Sequence, residues 1–253
     1  MKKTFLLLFT LILVAGCEQT PNEKTAHDHQ LLSIIDRQLN VADRLVNDKT
    51  YEIAADWSII SDDEAERAVL LTIDDAPERY SLEMAETLSQ LDVQAIFFVN
   101  GHFLESEEQR NMLKEIYELG FTIGNHTYSH ENLTTLSEEE QKNEIIRVNE
   151  MVEEITGEKP KFFRAPFGEN TEYSRKLIEK EDMLLMNWTF GYDWEQQYMD
   201  AEALSSVTID SEYLKDGANI LMHDREWTND ALESIVNGLS EKGYDFIDPE
   251  RIH

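Results

Sequence analysis

Cysteine is nearly absent from this sequence: the 253 residues include one, Cys17. A single thiol excludes intrachain disulfides, and it excludes zinc sites built on two or more thiolates. A metal site in this chain would therefore have to be built from histidine and carboxylate side chains.

Positive charge is scarce as well. The chain has 22 Lys and Arg against 52 Asp and Glu, which gives a formal net charge of −30. A surface this negative repels nucleic acid and anionic lipid head groups, so we predict no nucleic-acid partner, whereas neutral or cationic ligands suit it. Adaptation to a salty or alkaline habitat produces the same excess of acidic residues, so the charge by itself assigns no ligand.

The N-terminus predicts export and lipidation. Two lysines precede an apolar stretch over residues 5–15, which is too short to cross a bilayer and is typical of a secretory signal. The end of this stretch, "LVAGC", resembles the lipobox of bacterial lipoproteins, which implies cleavage before Cys17 and lipid on its sulfur. Residues 1–17 are thus predicted to be a lipoprotein signal peptide, and the mature protein to be extracytoplasmic and anchored to the cell membrane. An uncleaved anchor helix is the alternative.

Residues 18–67 are predicted to form a tether and a helical stalk. The segment 18–29 is polar and aperiodic, whereas apolar residues recur at helical spacing between residues 30 and 47 and predict an amphipathic helix. The charged segment 61–67 is a connector, so one compact domain is expected over residues 68–253.

From residue 68 onwards, apolar runs alternate with helical patterns. This alternation predicts an α/β domain in which helices cover parallel strands, arranged as an open sheet or as a barrel. The strand candidates are 68–73, 95–100, 121–124, 161–164, 183–190, 218–223 and 244–247. The helix candidates are 79–91, 104–119, 137–156, 171–182 and 229–240.

Polar clusters follow five of the strand candidates. Ligand sites of α/β proteins form at the carboxyl ends of the strands, so these clusters are expected to converge on one rim. The clusters are Asp74 with Asp75, "NHTYSH" (125–130), "RAPFGE" (164–169), "GYDW" (191–194) and His223 with Asp224.

The histidines of the second cluster predict a metal site. His126 and His130 are spaced i, i+4, so on a helical turn both imidazoles face the same side and can share one cation. Such a pair also arises by chance, and a carboxylate at another strand end strengthens the prediction. Two histidines and one aspartate make an open zinc site with room for water, whose pKa the cation lowers.

The aspartate doublet supplies that carboxylate and a base. Pro77 enforces a turn directly after Asp74 and Asp75, so both side chains can reach the mouth of the fold. One of them can bind the cation, and the other can take a proton from water as general base. The cation relieves the repulsion between the two charges.

Other clusters offer partners for this chemistry. Arg164 presents a fork of donors that suits a carboxylate such as Asp74, and the backbone N–H of Phe167 can face a developing oxyanion. His223 can give a proton to a leaving amine, with Asp193 fixing its tautomer and raising its pKa. A surface arginine before a turn and a core histidine bound to backbone are the structural alternatives.

Aromatic residues near the clusters can form a rim on which sugar rings stack, although aromatics also serve as core packing. The candidates for this rim are Trp188, Trp194, Trp227, Tyr128 and Phe167. Substrate binding is assigned to Tyr128, Phe167, Trp194 and Leu221.

With these residues in view, the chain resembles the polysaccharide deacetylases, the nodulation-protein-like family of carbohydrate esterases. Five motifs occur in the family's order. "TIDDAP" resembles T-F-D-D-G-P, "HTYSH" resembles H-[ST]-x-x-H and "RAPFG" resembles R-x-P-x-G. "YDW" resembles the end of D-x-x-D-W, and "LMHD" resembles L-x-H-D.

The resemblance implies a distorted (β/α) barrel of about seven parallel strands and a divalent metal, usually zinc, with cobalt, nickel or manganese as alternatives. It assigns Asp75, His126 and His130 to the metal and Asp74 to the general base. It also implies that Arg164 orients Asp74, that His223 is the general acid and that Asp193 tunes His223. The implied reaction removes an N-acetyl group from an amino sugar or, less often, an O-acetyl group.

The sequence departs from the family pattern at three positions. Ile73 and Ala76 replace the usual Phe and Gly of the first motif, and Phe190 occupies the first Asp position of the fourth. Alanine tolerates positive φ less well than glycine, so a differently shaped turn is expected near Ala76. The changes remove no ligand, base or acid, and they bear on substrate fit.

The sequence therefore predicts a monomeric, lipid-anchored, metal-dependent deacetylase of an acetylated polysaccharide such as peptidoglycan, a chitin-like polymer or poly-N-acetylglucosamine. One rival is a non-catalytic surface lipoprotein that binds a glycan or metal on the same fold; the presence of Asp74 and His223 argues against it. Another is an O-acetyl esterase or a deacylase of small amides that shares the metal site.

Overall fold

The computed structural model describes residues 50–61 and 67–253. The predicted signal peptide, Cys17 and the amphipathic helix over residues 30–47 lie outside the described residues, and so does most of the connector. Within the described ranges, none of the helices has the length and the apolar character needed to span a bilayer.

Seven parallel strands curl into a half-barrel, which confirms the predicted fold class. The apolar run that begins at Ala68 is buried on both faces, as is typical of a parallel strand under helices. In spatial order the strands are β7 (Leu184–Leu185), β6 (Phe162–Phe163), β5 (Thr122–Asn125), β4 (Ala95–Val99), β3 (Ala68–Ala76), β9 (Asn219–His223) and β8 (Phe190–Gly191). A further strand, β10 (Asp245–Phe246), pairs with the start of β3.

Six α-helices connect these strands, and five of them match the helix candidates. Local sequence sets their starts: Ser106 and Ser137 accept hydrogen bonds from the first turns of the second and third helices. The helices are α1 (Ser81–Gln90), α2 (Glu107–Glu118), α3 (Glu138–Thr156), α4 (Glu172–Lys180), α5 (Ala201–Ile209) and α6 (Glu226–Glu241). The sequence pattern did not predict α5, a helix of nine residues whose buried side includes Ser205 and Thr208 and therefore lacks a clear apolar period.

The apolar run 183–190, predicted as one strand, forms two. Its first part, β7, lies at one edge of the half-barrel and its second part, β8, lies at the other. Asn187 lies between them, and its carbonyl oxygen accepts hydrogen bonds from Arg164 Nη2 and Asn219 Nδ2, each at 2.8 Å. The run is divided because β7 and β8 are the two edge strands of the half-barrel and do not pair with each other. The residues between them bridge its open side.

A β-hairpin covers the end of the barrel at which the strands begin. Its strands, β1 (Tyr51–Ile53) and β2 (Ile59–Ser61), pair antiparallel. Tyr51 and Ile59 are buried in a cluster with Leu70, Phe98 and Phe162. Residues 51–61, predicted as part of the tether, therefore contribute to the core and leave the other end of the barrel free for a site.

Candidate active site

The doublet lies where β3 loses its regular pairing. Asp74 is in register with His223 of the neighbouring strand, so both side chains point to the same face. The pairing with β4 shifts between Ile73 and Ala76, and Asp75 has a φ of 62°. This irregularity turns Asp75 towards the mouth, whereas a regular strand would have pointed it to the opposite face. A differently shaped turn was expected near Ala76, and in the structure the residue with positive φ is Asp75, not Ala76.

A buried arginine holds the first carboxylate. Arg164, fully buried after β6, donates from Nη1 to Asp74 Oδ1 at 2.7 Å and to Thr72 Oγ1 at 2.9 Å. Its guanidinium also lies over the ring of Phe98, 4.3 Å from the centroid. Charge-assisted bonds of this kind fix the orientation of a carboxylate. The predicted contact between Arg164 and Asp74 is therefore present.

The two predicted imidazole ligands lie together, but on a loop and not on the helical turn that their spacing suggested. Residues 126–130 follow β5 without helical structure, and Thr127 and His130 have positive φ. The Asn125 side chain accepts from the Thr127 backbone N–H at 2.8 Å and shapes this loop. The imidazole centroids of His126 and His130 are 4.9 Å apart. The i, i+4 spacing therefore predicted the pair correctly, but the two rings meet because of the loop conformation and not because of a helical turn.

The hydrogen bonds of His126 determine which ring nitrogen is available. Nδ1 lies 2.8 Å from the carbonyl oxygen of Arg164, and a carbonyl oxygen can only accept, so Nδ1 carries the proton. Nε2, the nitrogen left free to bind a cation, lies 3.5 Å from Asp74 Oδ2. A backbone partner of this kind is the usual support of a metal-binding histidine.

Asp75, His126 and His130 fit a divalent cation. Each offers a ligand atom, and these atoms lie within 4.8 Å of one another. Burial and, when the neighbouring His126 ring is protonated, repulsion from it lower the pKa of His130, which favours the neutral imidazole that can bind a metal. Burial raises the pKa of Asp75, but His126, His223 and Arg225 outweigh it and leave that pKa lowered, so the carboxylate is ionised. Two imidazoles and a carboxylate leave a coordination position open.

His223 and Asp193 form a pair on the other side of the mouth. His223 Nδ1 lies 2.7 Å from Asp193 Oδ1, and the His223 backbone N–H donates to Oδ2 at 2.6 Å. Thr228 and Trp227 of α6 hold Asp193 through its Oδ2 and its carbonyl oxygen, each at 2.8 Å. Burial lowers the pKa of His223, but the charge and hydrogen bond of Asp193 outweigh burial and leave it raised. An acid with a raised pKa keeps its proton near neutral pH.

These groups surround one cavity of about 550 Å³. Phe167 and Trp194 are exposed at its rim, and Phe167 meets His130 edge-to-face with centroids 5.1 Å apart. Leu221 also contributes to the lining. The complete lining is Asp74, Asp75, His126, His130, Phe167, Trp188, Asp193, Trp194, Met199, Leu221, His223, Arg225 and Trp227.

Tyr128, predicted to bind substrate, does not belong to this lining. Its ring lies under the guanidinium of Arg147, 3.6 Å from the centroid, and its hydroxyl donates to Glu105. Gly101 packs closely against the same ring, since an added Cβ there would lie 2.5 Å from it. The other three predicted substrate-binding residues line the cavity, and their role stays a prediction.

The sequence assigned no role to two residues that adjoin the site. The buried carboxylate of Asp224 accepts from the backbone N–H groups of Arg79, Tyr80 and Ser81, at 2.6–3.0 Å, and so holds the start of α1. Arg225, the next residue, donates to Asp75 at 2.6 Å. Their position directly after the fifth motif was the available signal, but sequence spacing does not reveal contacts across 150 positions.

Comparison with known proteins agrees with this arrangement. Residues 61–185 match the family described as polysaccharide deacetylase. A peptidoglycan-N-acetylglucosamine deacetylase of Bacillus cereus is 32% identical over 186 residues, which cover 71% of this chain and 66% of the relative, about two thirds of its length. The peptidoglycan-N-acetylmuramic acid deacetylase PdaA of Bacillus subtilis is 29% identical over 72% of this chain and 69% of its own length.

Solved structures share the fold. A peptidoglycan N-acetylglucosamine deacetylase superposes with a TM-score of 0.67 at 30% identity, covering 75% of this chain and 90% of the other. A CE4 family pseudoenzyme from Bacillus anthracis superposes with a TM-score of 0.66 at 29% identity, covering 73% and 64%. Given this identity over nine tenths of the first of these structures, and the family match over residues 61–185, the chain belongs to the polysaccharide deacetylase family of hydrolases.

Proposed function

We propose that this protein hydrolyses acetyl groups from an N-acetylated cell-wall polysaccharide, with peptidoglycan as the first substrate to test. One observation carries the proposal. A candidate metal triad, an arginine-held carboxylate and a carboxylate-held imidazole line the same cavity. That set supplies the base, the acid and the cation that hydrolysis of an amide requires.

Asp75, His126 and His130 are the proposed ligands, and zinc suits this donor set, with cobalt, nickel or manganese as alternatives. When bound, a divalent cation lowers the pKa of water and polarises a carbonyl group. Asp74 is the proposed general base. Its Oδ1 is bound to Arg164, which leaves Oδ2, on the side of His126, to accept a proton from the attacking water.

His223 is the proposed general acid. Asp193 binds its Nδ1, so the remaining nitrogen can direct a proton to the departing amine. The backbone N–H of Phe167 is proposed to face the developing oxyanion, because Phe167 lies at the rim beside His130. Phe167, Trp194 and Leu221 are proposed to contact the sugar through their apolar surfaces.

Peptidoglycan is favoured as substrate by two arguments. Peptidoglycan deacetylases recur among the relatives. The sequence also predicts an extracytoplasmic protein held to the membrane by lipid on Cys17, which would place the domain next to the cell wall. Loss of acetyl groups from such a polymer exposes cationic amines, and the anionic protein attracts them.

Acetate release tests this proposal. Zinc-loaded protein would be incubated with peptidoglycan, chitin oligomers, poly-N-acetylglucosamine and acetylxylan, with and without a chelator. We expect peptidoglycan to release most acetate, the chelator to abolish release, and Asp74→Asn to lower the rate by about 10²–10⁴-fold. Asp216→Asn is the control, because this exposed aspartate precedes β9 at the opposite end of the barrel. Equal release by the wild type and Asp74→Asn would contradict the mechanism.

The likeness to a pseudoenzyme favours a second candidate, a non-catalytic glycan-binding protein. The two candidates differ in the fate of the polymer. Binding to peptidoglycan without acetate release, in protein shown to contain zinc, would support the second. Preferential release of acetate from acetylxylan would instead indicate an O-acetyl esterase.

A further inference from the structure

Arg225 brings a positive charge to a predicted metal ligand. It follows His223 and Asp224 directly and lines the cavity. Its Nη2 donates to Asp75 Oδ2 at 2.6 Å. Its Nη1 donates to Glu78 Oε2 at 2.6 Å and to the Asp224 carbonyl oxygen at 2.8 Å. The guanidinium is therefore fixed by three acceptors, one of which is the proposed metal ligand.

The two oxygens of Asp75 consequently face different partners. Oδ2 is bound to Arg225, whereas Oδ1 lies 3.7 Å from Nε2 of His130. We propose that Arg225 is a positioning residue for Asp75: it occupies Oδ2 and thereby presents Oδ1 as a single ligand atom beside the imidazoles. This inference rests on the metal site of the proposed function.

Asp75 needs such a support because its backbone does not provide one. It sits at the end of β3 where the register with β4 shifts, and its φ of 62° belongs to a region that aspartate visits only occasionally. The regular ladder therefore does not fix the direction of its side chain. His126, by contrast, is oriented through its bond to the Arg164 carbonyl oxygen. Arg225 performs the corresponding task for Asp75.

A positive charge beside a cation also repels it, so the two effects must be weighed. Glu78 lies 2.6 Å from the same guanidinium and compensates its charge. The Arg225 side chain is also 33% exposed, so water screens what remains. The hydrogen bond to Asp75 lies deeper, at a carboxylate that is 14% exposed. Orientation therefore outweighs repulsion, and removal of Arg225 should weaken metal binding.

The affinity for zinc alone tests this inference. Competition with a chromophoric chelator would give the zinc dissociation constant of the wild type, Arg225→Ala, Arg225→Lys and Arg79→Ala. Arg225→Ala should raise this constant by about 10–100-fold, the usual effect of losing a group that orients a ligand. Arg225→Lys keeps the charge but loses the fork, so a smaller increase is expected.

Arg79→Ala is the matched control. Arg79 is an exposed arginine of the neighbouring loop whose guanidinium lies over the ring of Tyr80, so its removal changes the net charge equally without touching Asp75. Its zinc constant should stay near the wild-type value. Circular dichroism of the metal-free proteins would show whether each variant folds. If Arg225→Ala does not fold, the zinc dissociation constant of Arg225→Lys tests the inference instead.

Unchanged or tighter zinc binding by Arg225→Ala would overturn the inference, and so would an equal loss of zinc affinity in Arg79→Ala. Cobalt spectra provide a second readout, since a freed Oδ2 would change the coordination and hence the visible bands. Identical cobalt spectra of the wild type and Arg225→Ala would also count against it. Acetate release plays no part in these measurements, so failure of the proposed reaction remains a separate result.

Discussion

At the scale of single residues, the site gives two ionisable side chains that lie side by side different partners. Asp74 and His223 are paired positions on adjacent parallel strands. Each has an orienting partner of opposite charge, Arg164 for Asp74 and Asp193 for His223, at 2.7 Å in both cases. The two side chains therefore have different electrostatic environments, which suits the different roles proposed for them, base for Asp74 and acid for His223.

The pH dependence of acetate release should reveal the effect of Asp193 on the pKa of His223. The proposed general acid, His223, would act only when protonated, so activity should be lost on the alkaline side as pH rises through its pKa. Because Asp193 raises that pKa, Asp193→Asn should lower it and move the alkaline limb of kcat/KM to lower pH by about one to three pH units. The measurement is the pH profile of acetate release by zinc-loaded protein.

Thr228→Val is the matched control for this shift. Its hydroxyl donates to the same carboxylate, at 2.8 Å, but it carries no charge. The valine variant should therefore move the alkaline limb much less than Asp193→Asn. An alkaline limb that stays in place in Asp193→Asn would exclude His223 as the group that loses activity at high pH.

Sequence motifs identified most of these residues because each motif places its polar side chains at a strand end. Parallel strands bring those ends together, so Asp75, His126 and His130 converge without any contact being known in advance. Contacts between individual side chains were harder to predict from the sequence. Nothing local to Arg225 or Tyr128 indicates that one reaches Asp75 and the other lies under Arg147. Such contacts depend on loop paths that spacing does not encode.

At the scale of elements, Asp224 joins β9 to the loop that follows the doublet. Its carboxylate accepts from the backbone N–H groups of residues 79–81, and the Ser81 hydroxyl donates to it at 2.6 Å. Its backbone N–H donates to the Asp74 carbonyl oxygen at 3.0 Å. One side chain therefore satisfies the N–H group of Ser81, the first residue of α1, and those of the two residues before it, and it ties that helix to the strand that carries His223.

Asp224→Asn should lower the free energy of unfolding by about 2–3 kcal/mol. The amide group would place donors against backbone donors, and bonds to a charged acceptor are worth about 1.5–3 kcal/mol. Denaturant unfolding measures the loss, and hydrogen exchange should show faster opening at residues 79–81.

Asp200→Asn is the control for that change. Asp200 caps α5 from an exposed position, where asparagine caps about equally well, so a loss below about 0.5 kcal/mol is expected. Equal losses in the two variants, or no loss in Asp224→Asn, would refute the role given to Asp224.

Helices and strands were predictable from the sequence where a clear hydrophobic periodicity extended over a long segment. The helix candidates at 137–156 and 171–182 correspond to α3 and α4, whose capping boxes mark their starts. The apolar run 183–190 was misjudged as one strand because hydrophobicity does not show where a chain leaves one sheet edge for the other. The hairpin over residues 51–61 was missed because its two three-residue strands are too short for a period.

At the scale of the whole molecule, the hairpin and the cavity occupy opposite ends of one half-barrel. The hairpin seals the end where the strands begin, with the His253 backbone N–H bound to the Tyr51 carbonyl oxygen at 2.9 Å. All the catalytic candidates gather where the strands end. The hairpin and the site are thus separated along the strand axis, whereas the net negative charge acts on the molecule as a whole.

That charge has a measurable consequence. With a net charge of −30, the compact state suffers more self-repulsion than the extended chain. The Debye length falls from about 30 Å at 0.01 M salt to about 8 Å at 0.15 M, so most of the repulsion is screened in that interval. The melting temperature of metal-free protein should therefore rise by roughly 3–8 °C between these concentrations, equivalent to about 1–2 kcal/mol.

The shape of the salt dependence separates screening from preferential exclusion of solutes. Screening saturates, so the rise from 0.15 M to 1 M NaCl should be smaller than the rise below 0.15 M. Exclusion of a solute from the surface grows with its concentration and does not require ions, so sucrose provides the comparison. A melting temperature that is constant below 0.15 M, or that climbs linearly to 1 M, would show that the acidic surface does not destabilise this fold.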